Sequence, residues 1–381
     1  MLWFDPFTMT FEQPQSEPDL LGSPLLAADQ FTHSPLSNPR EEIRLLHIEE
    51  GADEDPIDCM ITTWLQSSEP PYHAISYTWG DGVDADETIH INGGPFQVRR
   101  NCWDALCQCR SQFSYSREPD YIWIDSICIN QDDKPEKNSQ VAIMGEIFQR
   151  AATVKACIGR EDEASRFVHA MLLGIGQKTH RPYPNPFNRV LKAPWIDSIP
   201  TVDNTTLCDA LLTLHRRPYF SRLWVVQEHR LAQHVDVYCG TDKFFLGALQ
   251  HLLEEMRQGR CDIDQINGSG FQILIDHGYV RSPVLRNRRE HLALLLARFA
   301  GFRCADPRDK IFGLLRMVNW EGSDPILPDY NCSLLGLARL ALWVFTKSRA
   351  ADSQGIISSA SLLMKALGLT SEHKEMAALL E

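Results

Sequence analysis

Between residues 121 and 159, apolar and polar positions alternate in blocks that predict a strand, a polar loop, a helix and a second strand. Residues 121–124 are apolar, aromatic and β-branched, which is typical of a buried strand. The run stops at Asp125, and from Pro135 onward the apolar side chains recur at helical spacing, at Val141, Met144, Ile147, Phe148 and Ala151. Residues 153–158 are again strand-like, so we expect parallel strands joined by a right-handed crossover.

A second strand predicted over residues 72–77 also ends in a polar turn, which reads Thr-Trp-Gly-Asp at 78–81. Open sheets of parallel strands bind ligands where the carboxyl ends of their strands meet. The ends of the two strands, at residues 78–81 and at Asp125, should therefore border one cleft.

The other apolar blocks extend this α/β pattern and then give way to helices. Strands are predicted at 43–48, 57–64 and 234–239, and Asn92-Gly93 predicts a tight hairpin between 88–91 and 96–98. Helical spacing is found at 101–112, 161–174, 206–214 and 222–231, and later at 246–257, 291–302, 307–318, 334–345 and 359–380. We predict a mostly parallel sheet flanked by helices over residues 40–245 and a mainly helical region over 246–381. Residues 1–39, rich in Pro, Ser, Asp and Gln, should form a disordered tail.

Composition narrows the classes of protein that the chain can belong to. The formal charge of −13 argues against a nucleic-acid partner, which would be bound through clustered Lys and Arg. Eleven scattered cysteines without a CxxC pair, together with an opening sequence unlike a secretory leader, favour a reducing, cytoplasmic setting. No apolar run is long enough to span a membrane, and no HExxH or similar spacing indicates a metal site.

Two acids and two tryptophans near the predicted cleft each allow a structural and a functional interpretation. Glu136 lies at the start of a helix, where the helix dipole favours carboxylates for structural reasons alone. Asp125 could bind a ligand or cap its loop by accepting hydrogen bonds from backbone amides. Trp79 and Trp123 could stack on a ring, although tryptophans beside a strand usually belong to the core.

Several motifs, in order, resemble the fungal heterokaryon-incompatibility (HET) domain. They are YHAISYTWGD at 72–81, IWIDSICINQDD at 122–133 and RLWVVQE at 222–228, followed by ADPRDKIFGLL at 305–315 and ILPDY at 326–330. This family is in turn similar to the Toll/interleukin-1 receptor (TIR) domain, so the resemblance implies a TIR-like or flavodoxin-like fold. Some TIR domains cleave NAD with a glutamate on a helix just past a strand end, and Glu136 is the nearest match in this chain.

The resemblance implies a role in fungal non-self recognition and programmed cell death, through a protein partner or self-association. NAD would be a substrate and not a prosthetic group, with Glu136 and Asp125 as candidate catalytic carboxylates. Candidate NAD-binding residues are Ser76, Tyr77, Trp79, Gly80, Asp81, Trp123, Asn130 and Gln131. Two alternatives stay open: a non-enzymatic signalling or interaction module, and an inactive paralogue. In RLWVVQE, a structural ion pair between Arg222 and Glu228 is favoured over a binding role.

Overall fold

The computed structural model describes residues 29–52, 54–80, 86–113, 121–179, 204–240, 242–245, 249, 252, 289–320, 323–347 and 353–369. Nine strands in these ranges form one sheet with the spatial order β5-β4-β2-β1-β6-β3-β7-β8-β9. Their bounds are β1 Glu42–Ile48, β2 Asp58–Leu65, β3 Tyr72–Tyr77, β4 Glu87–Ile91, β5 Gly94–Val98, β6 Tyr121–Trp123, β7 Thr153–Cys157, β8 Val235–Cys239 and β9 Asp242–Phe245.

Helices connect and cover the strands. Their bounds are α1 Arg100–Phe113, α2 Asp125–Cys128, α3 Lys134–Arg150, α4 Glu163–Thr179, α5 Asn204–His215, α6 Trp224–Leu231, α7 Leu292–Phe299, α8 Asp309–Phe312, α9 Leu334–Lys347 and α10 Ser353–Ala366. None of the helices in the described ranges is long and apolar enough to cross a membrane.

The sheet is mixed, and its parallel part lies in the middle. Strands β6, β3, β7 and β8 pair in parallel, whereas β1 and β9 join this block in antiparallel fashion. Counted over the described strands, four of the eight pairings are parallel. The prediction of an α/β sheet flanked by helices is confirmed, but "mostly parallel" holds for this central block only. A TIR-like or flavodoxin-like assignment stays a prediction.

Helix α3 begins as the sequence predicts and buries the predicted face. The side chain of Asp133 caps it by accepting a hydrogen bond from the backbone N–H of Glu136 at 3.0 Å, and Pro135 occupies its first turn. Val141, Met144, Ile147 and Phe148 are all buried. The hairpin turn is also as predicted, because Asn92 and Gly93 both have positive φ, 51° and 82°.

Two local predictions need correction, and the chain boundaries remain partly untested. The helix predicted over 307–318 is broken: α8 ends at Phe312, and a 3-10 turn follows at Leu315–Met317. In the predicted tail, residues 29–39 pack on the sheet domain, where Phe31 meets Phe96 edge-on and Leu36 is buried. A few apolar side chains in this polar segment pack against residues distant in sequence, and the composition of the segment does not reveal such contacts. Residues 1–28 and the predicted helix at 246–257 lie outside the described residues, apart from Leu249 and Leu252.

Candidate functional site

A cavity of about 1280 Å³ opens where the central parallel strands end. Its walls include residues 77–80 at the end of β3, Asp125 after β6 and residues 157–160 at the end of β7. Tyr77 pairs with Cys157 in the sheet, and Ala74 pairs with Trp123, so the three strand ends lie side by side. The predicted cleft at this edge is therefore present.

Trp79 and Asp125 form a direct pair in the cavity wall. The Nε1–H of Trp79 donates to both carboxylate oxygens of Asp125, at 3.1 and 3.0 Å. Burial raises the pKa of Asp125 above its ordinary value, while the charge of Arg222 and the hydrogen bond from Trp79 act in the opposite direction. Of the two predicted carboxylates, Asp125 is the one that faces the cavity.

Gly80 turns the chain out of β3 with a φ of +82°, a conformation that favours glycine. A Cβ added there would also lie 3.2 Å from the Nδ2 atom of Asn101. The carbonyl of Gly80 accepts a hydrogen bond from Arg99 at 3.2 Å, and the Arg99 guanidinium lies 5.9 Å from the centroid of the Trp79 ring. These contacts hold the loop after β3 against the start of α1.

Glu136 lies outside the cavity lining, in a buried ion pair with Arg44. The Arg44 guanidinium donates to its two carboxylate oxygens at 2.6 and 2.8 Å, and both side chains are only 3% exposed. Glu136 also accepts the backbone N–H of Asn130 at 2.8 Å, and Arg44 donates to the carbonyl of Cys128 at 3.0 Å. Burial alone would raise the pKa of Glu136, but the bonds from Arg44 and Asn130 lower it on balance.

The structure brings some of the other predicted site residues to the cavity and leaves others in the core. Tyr77, Trp79, Gly80 and Gln131 line it, and Gln131 Nε2 donates to the carbonyl of Asp125 at 2.8 Å. Three residues do not line it: Ser76, Trp123 and Asn130. Trp123 is fully buried and packs edge-on against Phe148, with 5.5 Å between ring centroids. Asp81 lies outside the described residues.

A buried polar network that sequence reasoning did not find lies beneath the end of β3. Ser76 Oγ is hydrogen-bonded to Tyr219 Oη at 2.6 Å and donates to Glu228, while Tyr219 Oη is hydrogen-bonded to His229 Nε2 at 2.5 Å. Arg222 lies 3.6 Å from Glu228, as the structural ion pair expected in RLWVVQE. Burial raises the pKa of Glu228 to about 7, against the charge of Arg222 and the hydrogen bond from Ser76.

The C-terminal region supplies a further part of the cavity wall, through residues 303–306, Asp309 and Tyr330. Asp309 accepts hydrogen bonds from Tyr330 Oη at 2.7 Å and from Trp224 Nε1 at 3.2 Å, which ties this wall to α6. Burial raises the pKa of Asp309 to about 6, although both hydrogen bonds lower it. From the sequence, this segment is predicted to be part of a helix over residues 307–318. The sequence did offer one signal for this part of the wall: ADPRDKIFGLL and ILPDY are among the motifs that resemble those of HET-domain proteins.

Positive charge predominates in the cavity wall, although the chain is acidic overall. Seven Lys and Arg side chains of the described residues line it, against five Asp and Glu. Some of these charges are paired: Glu87 and Asp104 form salt bridges with Arg100 and Arg160, which also line the cavity, and Asp306 pairs with Arg308, which does not. In the part of the chain that the structure describes, no three His, Cys, Asp or Glu side chains converge as a metal site would require.

The fold and the cavity define an α/β protein with a polar, cation-lined cleft at the carboxyl ends of its parallel strands. Residues 72–228 match the family model described as heterokaryon incompatibility protein (HET). This segment is a HET domain, and the family resemblance seen in the motifs is confirmed. It holds β3, β6, β7, Asp125 and Glu228, whereas Arg303, Asp309 and Tyr330 of the cavity wall lie beyond it.

A longer similarity extends over most of the chain. Heterokaryon incompatibility protein 6, OR allele, of Neurospora crassa is 28% identical over 348 residues, which cover 78% of this chain and 50% of that protein. The chain therefore spans about half the length of this curated relative. No solved structure matches the chain.

Proposed function

We propose that this chain acts in heterokaryon incompatibility, the non-self recognition between fused fungal cells and the cell death that follows. The HET domain at residues 72–228 and the similarity to the Neurospora protein support this role. A protein partner or self-association would trigger the response.

The chemistry that we propose is cleavage of NAD between nicotinamide and ribose. The observation that carries it is the Asp125 carboxylate, held by Trp79 in a cation-lined cavity at the ends of β3, β6 and β7. The four central parallel strands lie side by side in the order β6-β3-β7-β8, which is second, first, third and fourth in chain order. Sheets with this strand order bind a nucleotide between the first and the third strand. Here β3 and β7 are those two strands, and the cavity opens at their ends.

Asp125 takes the catalytic role in this proposal. As the bond to nicotinamide breaks, its electron pair leaves with nicotinamide and positive charge builds on the ribose. A carboxylate beside the sugar stabilises that charge, as in glycoside hydrolysis. Water then adds to the sugar carbon and loses a proton, which gives ADP-ribose, nicotinamide and H⁺. Asp125 must be ionised for this step.

Glu136 supports the site from outside it. Its two oxygens are bound by Arg44 and the N–H of Asn130, so it holds the loop that carries Asn130 and Gln131. Gln131 in turn bonds the backbone of Asp125. Glu136 thus positions the loop beside the catalytic acid. In this proposal Asp125, and not Glu136 as the resemblance implied, is the catalytic carboxylate.

A second candidate is a non-enzymatic signalling module. It is favoured by one feature of the site: Trp79 satisfies both oxygens of Asp125 without any ligand, as expected of a purely structural pair. Under this alternative the cavity would serve as a docking pocket, and expression could kill cells without consuming NAD.

Nicotinamide release by the purified chain separates the two candidates. We would measure it over a range of protein concentrations, because the resemblance implies activation by self-association. D125N should lose about 100-fold or more of the activity. D132N is the matched control, since Asp132 is an exposed acid shortly after α2, the helix that Asp125 begins, and lies outside the cavity lining. Release by D125N at the wild-type rate, or none by the wild-type chain at any concentration, would reject the enzymatic proposal.

A further inference from the structure

Two arginines from distant parts of the chain are neighbours in the cavity wall. Arg222 of the HET domain and Arg303 of the C-terminal region form a parallel β-bridge, with Leu223 N–H donating to the carbonyl of Arg303 at 2.8 Å and Arg303 N–H donating to that of Ser221 at 2.6 Å. Paired residues in such a bridge project their side chains to the same face. Both side chains line the cavity.

These two positive charges lack a full set of counter-charges. Arg222 has Glu228 at 3.6 Å, beyond hydrogen-bond distance, and its side chain is 15% exposed. Its Nη1 atom is buried without a hydrogen-bond partner. Arg303 is exposed and makes no salt bridge with any described residue. Like charges held opposite each other are destabilising, and the buried donor of Arg222 without a partner is unfavourable, so the arrangement favours an anion between the two guanidinium groups.

A third cation lies on the same wall. Lys137, in the first turns of α3, sits 4.9 Å from the centroid of the Tyr330 ring and forms no salt bridge with the residues that the structure describes. Its charge acts on Asp125, as does that of Arg222, and it also acts on Asp306 and Asp309 of the same cavity. Arg222 and Lys137 therefore both lie within electrostatic range of the acid that the proposed reaction uses.

We propose that Arg222, Arg303 and Lys137 form a binding site for the pyrophosphate group of a nucleoside diphosphate ligand. The inference deepens the proposed function, because it names the part of the substrate that these residues would hold. The planar guanidinium fork matches the oxygens of phosphate in bidentate fashion. Three cations at one wall suit a group with two phosphates better than a single carboxylate. The cavity also exceeds the roughly 300–1,000 Å³ usual for small-molecule sites, which leaves room for the ribose and rings.

This site would be completed only by the C-terminal region. Arg303 lies beyond the segment that matches the HET family, whereas Arg222 and Lys137 lie within it. The β-bridge at Arg222 and Arg303 joins the two parts at the anion site itself. Residues 303–330 would thus help determine which ligands the HET domain binds.

Calorimetric titration of the full chain tests the site without any catalytic readout. Three probes are used: inorganic pyrophosphate, ADP-ribose, and nicotinamide riboside, which carries no phosphate. ADP-ribose should bind, and R303Q should weaken its binding about tenfold or more, since one charge-assisted hydrogen bond contributes about 1.5–3 kcal/mol. R166Q is the matched control, because Arg166 is an exposed arginine on α4 outside the cavity lining. Binding of ADP-ribose should also weaken steeply with salt.

The outcomes separate the anion site from the proposed reaction. Unchanged affinity of R303Q for ADP-ribose, equally tight binding of nicotinamide riboside, or no binding of either phosphate probe by the wild-type chain would overturn the site. Binding of pyrophosphate as tight as that of ADP-ribose would support it, with the free anion as ligand. If R303Q fails to fold, K137Q supplies the same test from α3. Binding of ADP-ribose that depends on Arg303, in a chain that releases no nicotinamide, would keep the site and reject only the hydrolysis.

Discussion

Arg44 on β1 donates two hydrogen bonds to Glu136 on α3, at 2.6 and 2.8 Å, and almost no part of either side chain is exposed. Ninety-two residues separate the two along the chain. This ion pair explains why an acid just past a polar loop can match a catalytic motif and still have a structural role. Its charge is neutralised by a buried guanidinium that is distant in sequence, so neighbouring residues do not reveal the pair.

Glu136→Ala should destabilise the chain by about 3–5 kcal/mol, because it leaves Arg44 buried without its partner. Chemical denaturation would measure the change. The double variant R44M/E136M should recover most of the stability, since an apolar pair removes both charges together. An E136A chain as stable as the wild type would contradict this structural role. Loss of activity in E136A alone therefore carries no information on catalysis.

Glu228 should make stability fall as pH rises. Its pKa is raised from an ordinary value of 4.5 to about 7 in the folded chain, so the folded state binds more protons than the unfolded state between these values. Its stabilising contribution is complete below about pH 4.5 and is lost as pH rises through about 7, by at most about 3 kcal/mol.

E228Q is the variant that isolates this contribution. We expect the stability difference between wild type and E228Q to change across pH 5 to 7.5 in favour of the glutamine variant, as measured by denaturation at each pH. Other groups titrate in the same window, which is why the difference between the two proteins is compared. Parallel stability curves for the two proteins would show that Glu228 does not titrate as described.

Trp79→Phe should shift the pH dependence of the proposed reaction. The indole N–H stabilises the ionised form of Asp125, so its removal should raise the already elevated pKa of Asp125 further. The reaction needs the carboxylate, and its acidic limb should therefore move to higher pH in W79F. The pH profile of nicotinamide release measures this shift. A profile unchanged in position would argue that Asp125 is not the group whose ionisation the reaction requires.

Gly145→Ala should loosen the contact between the HET domain and the C-terminal region. A Cβ at this position of α3 would lie 2.6 and 2.7 Å from side-chain carbons of Arg316 and 3.0 Å from Leu231. We expect a loss of about 1–3 kcal/mol from overpacking, although alanine favours a helix by about 0.5–1 kcal/mol over glycine. Thermal denaturation would reveal it. A variant more stable than the wild type would show that Arg316 and Leu231 can move aside without destabilising the interface.

The elements around the cavity were predictable because their signals are local. The apolar runs of β3, β6 and β7 stop at polar residues, and the Pro135 start and apolar spacing of α3 fall within a few turns of one another. From parallel strands alone, Tyr77, Trp79, Gly80 and Asp125 could be assigned to one edge. Sequence alone could not show that Trp79 lines the cavity whereas Trp123 is buried in the core. Successive residues of a strand point to opposite faces of the sheet, and the burial of each face depends on which distant segments pack against it.

Sequence by itself determined the HET-type motifs, the α/β pattern and the sheet edge at which a ligand could bind, since each is encoded by residues close together along the chain. Tertiary structure alone decided which acid faces that edge. It paired Glu136 with Arg44, turned Asp125 toward the cavity, and set Arg303 beside Arg222 across eighty residues of chain. Ion pairs and cavity walls depend on contacts between distant segments, and these form only when the packed core brings the segments together.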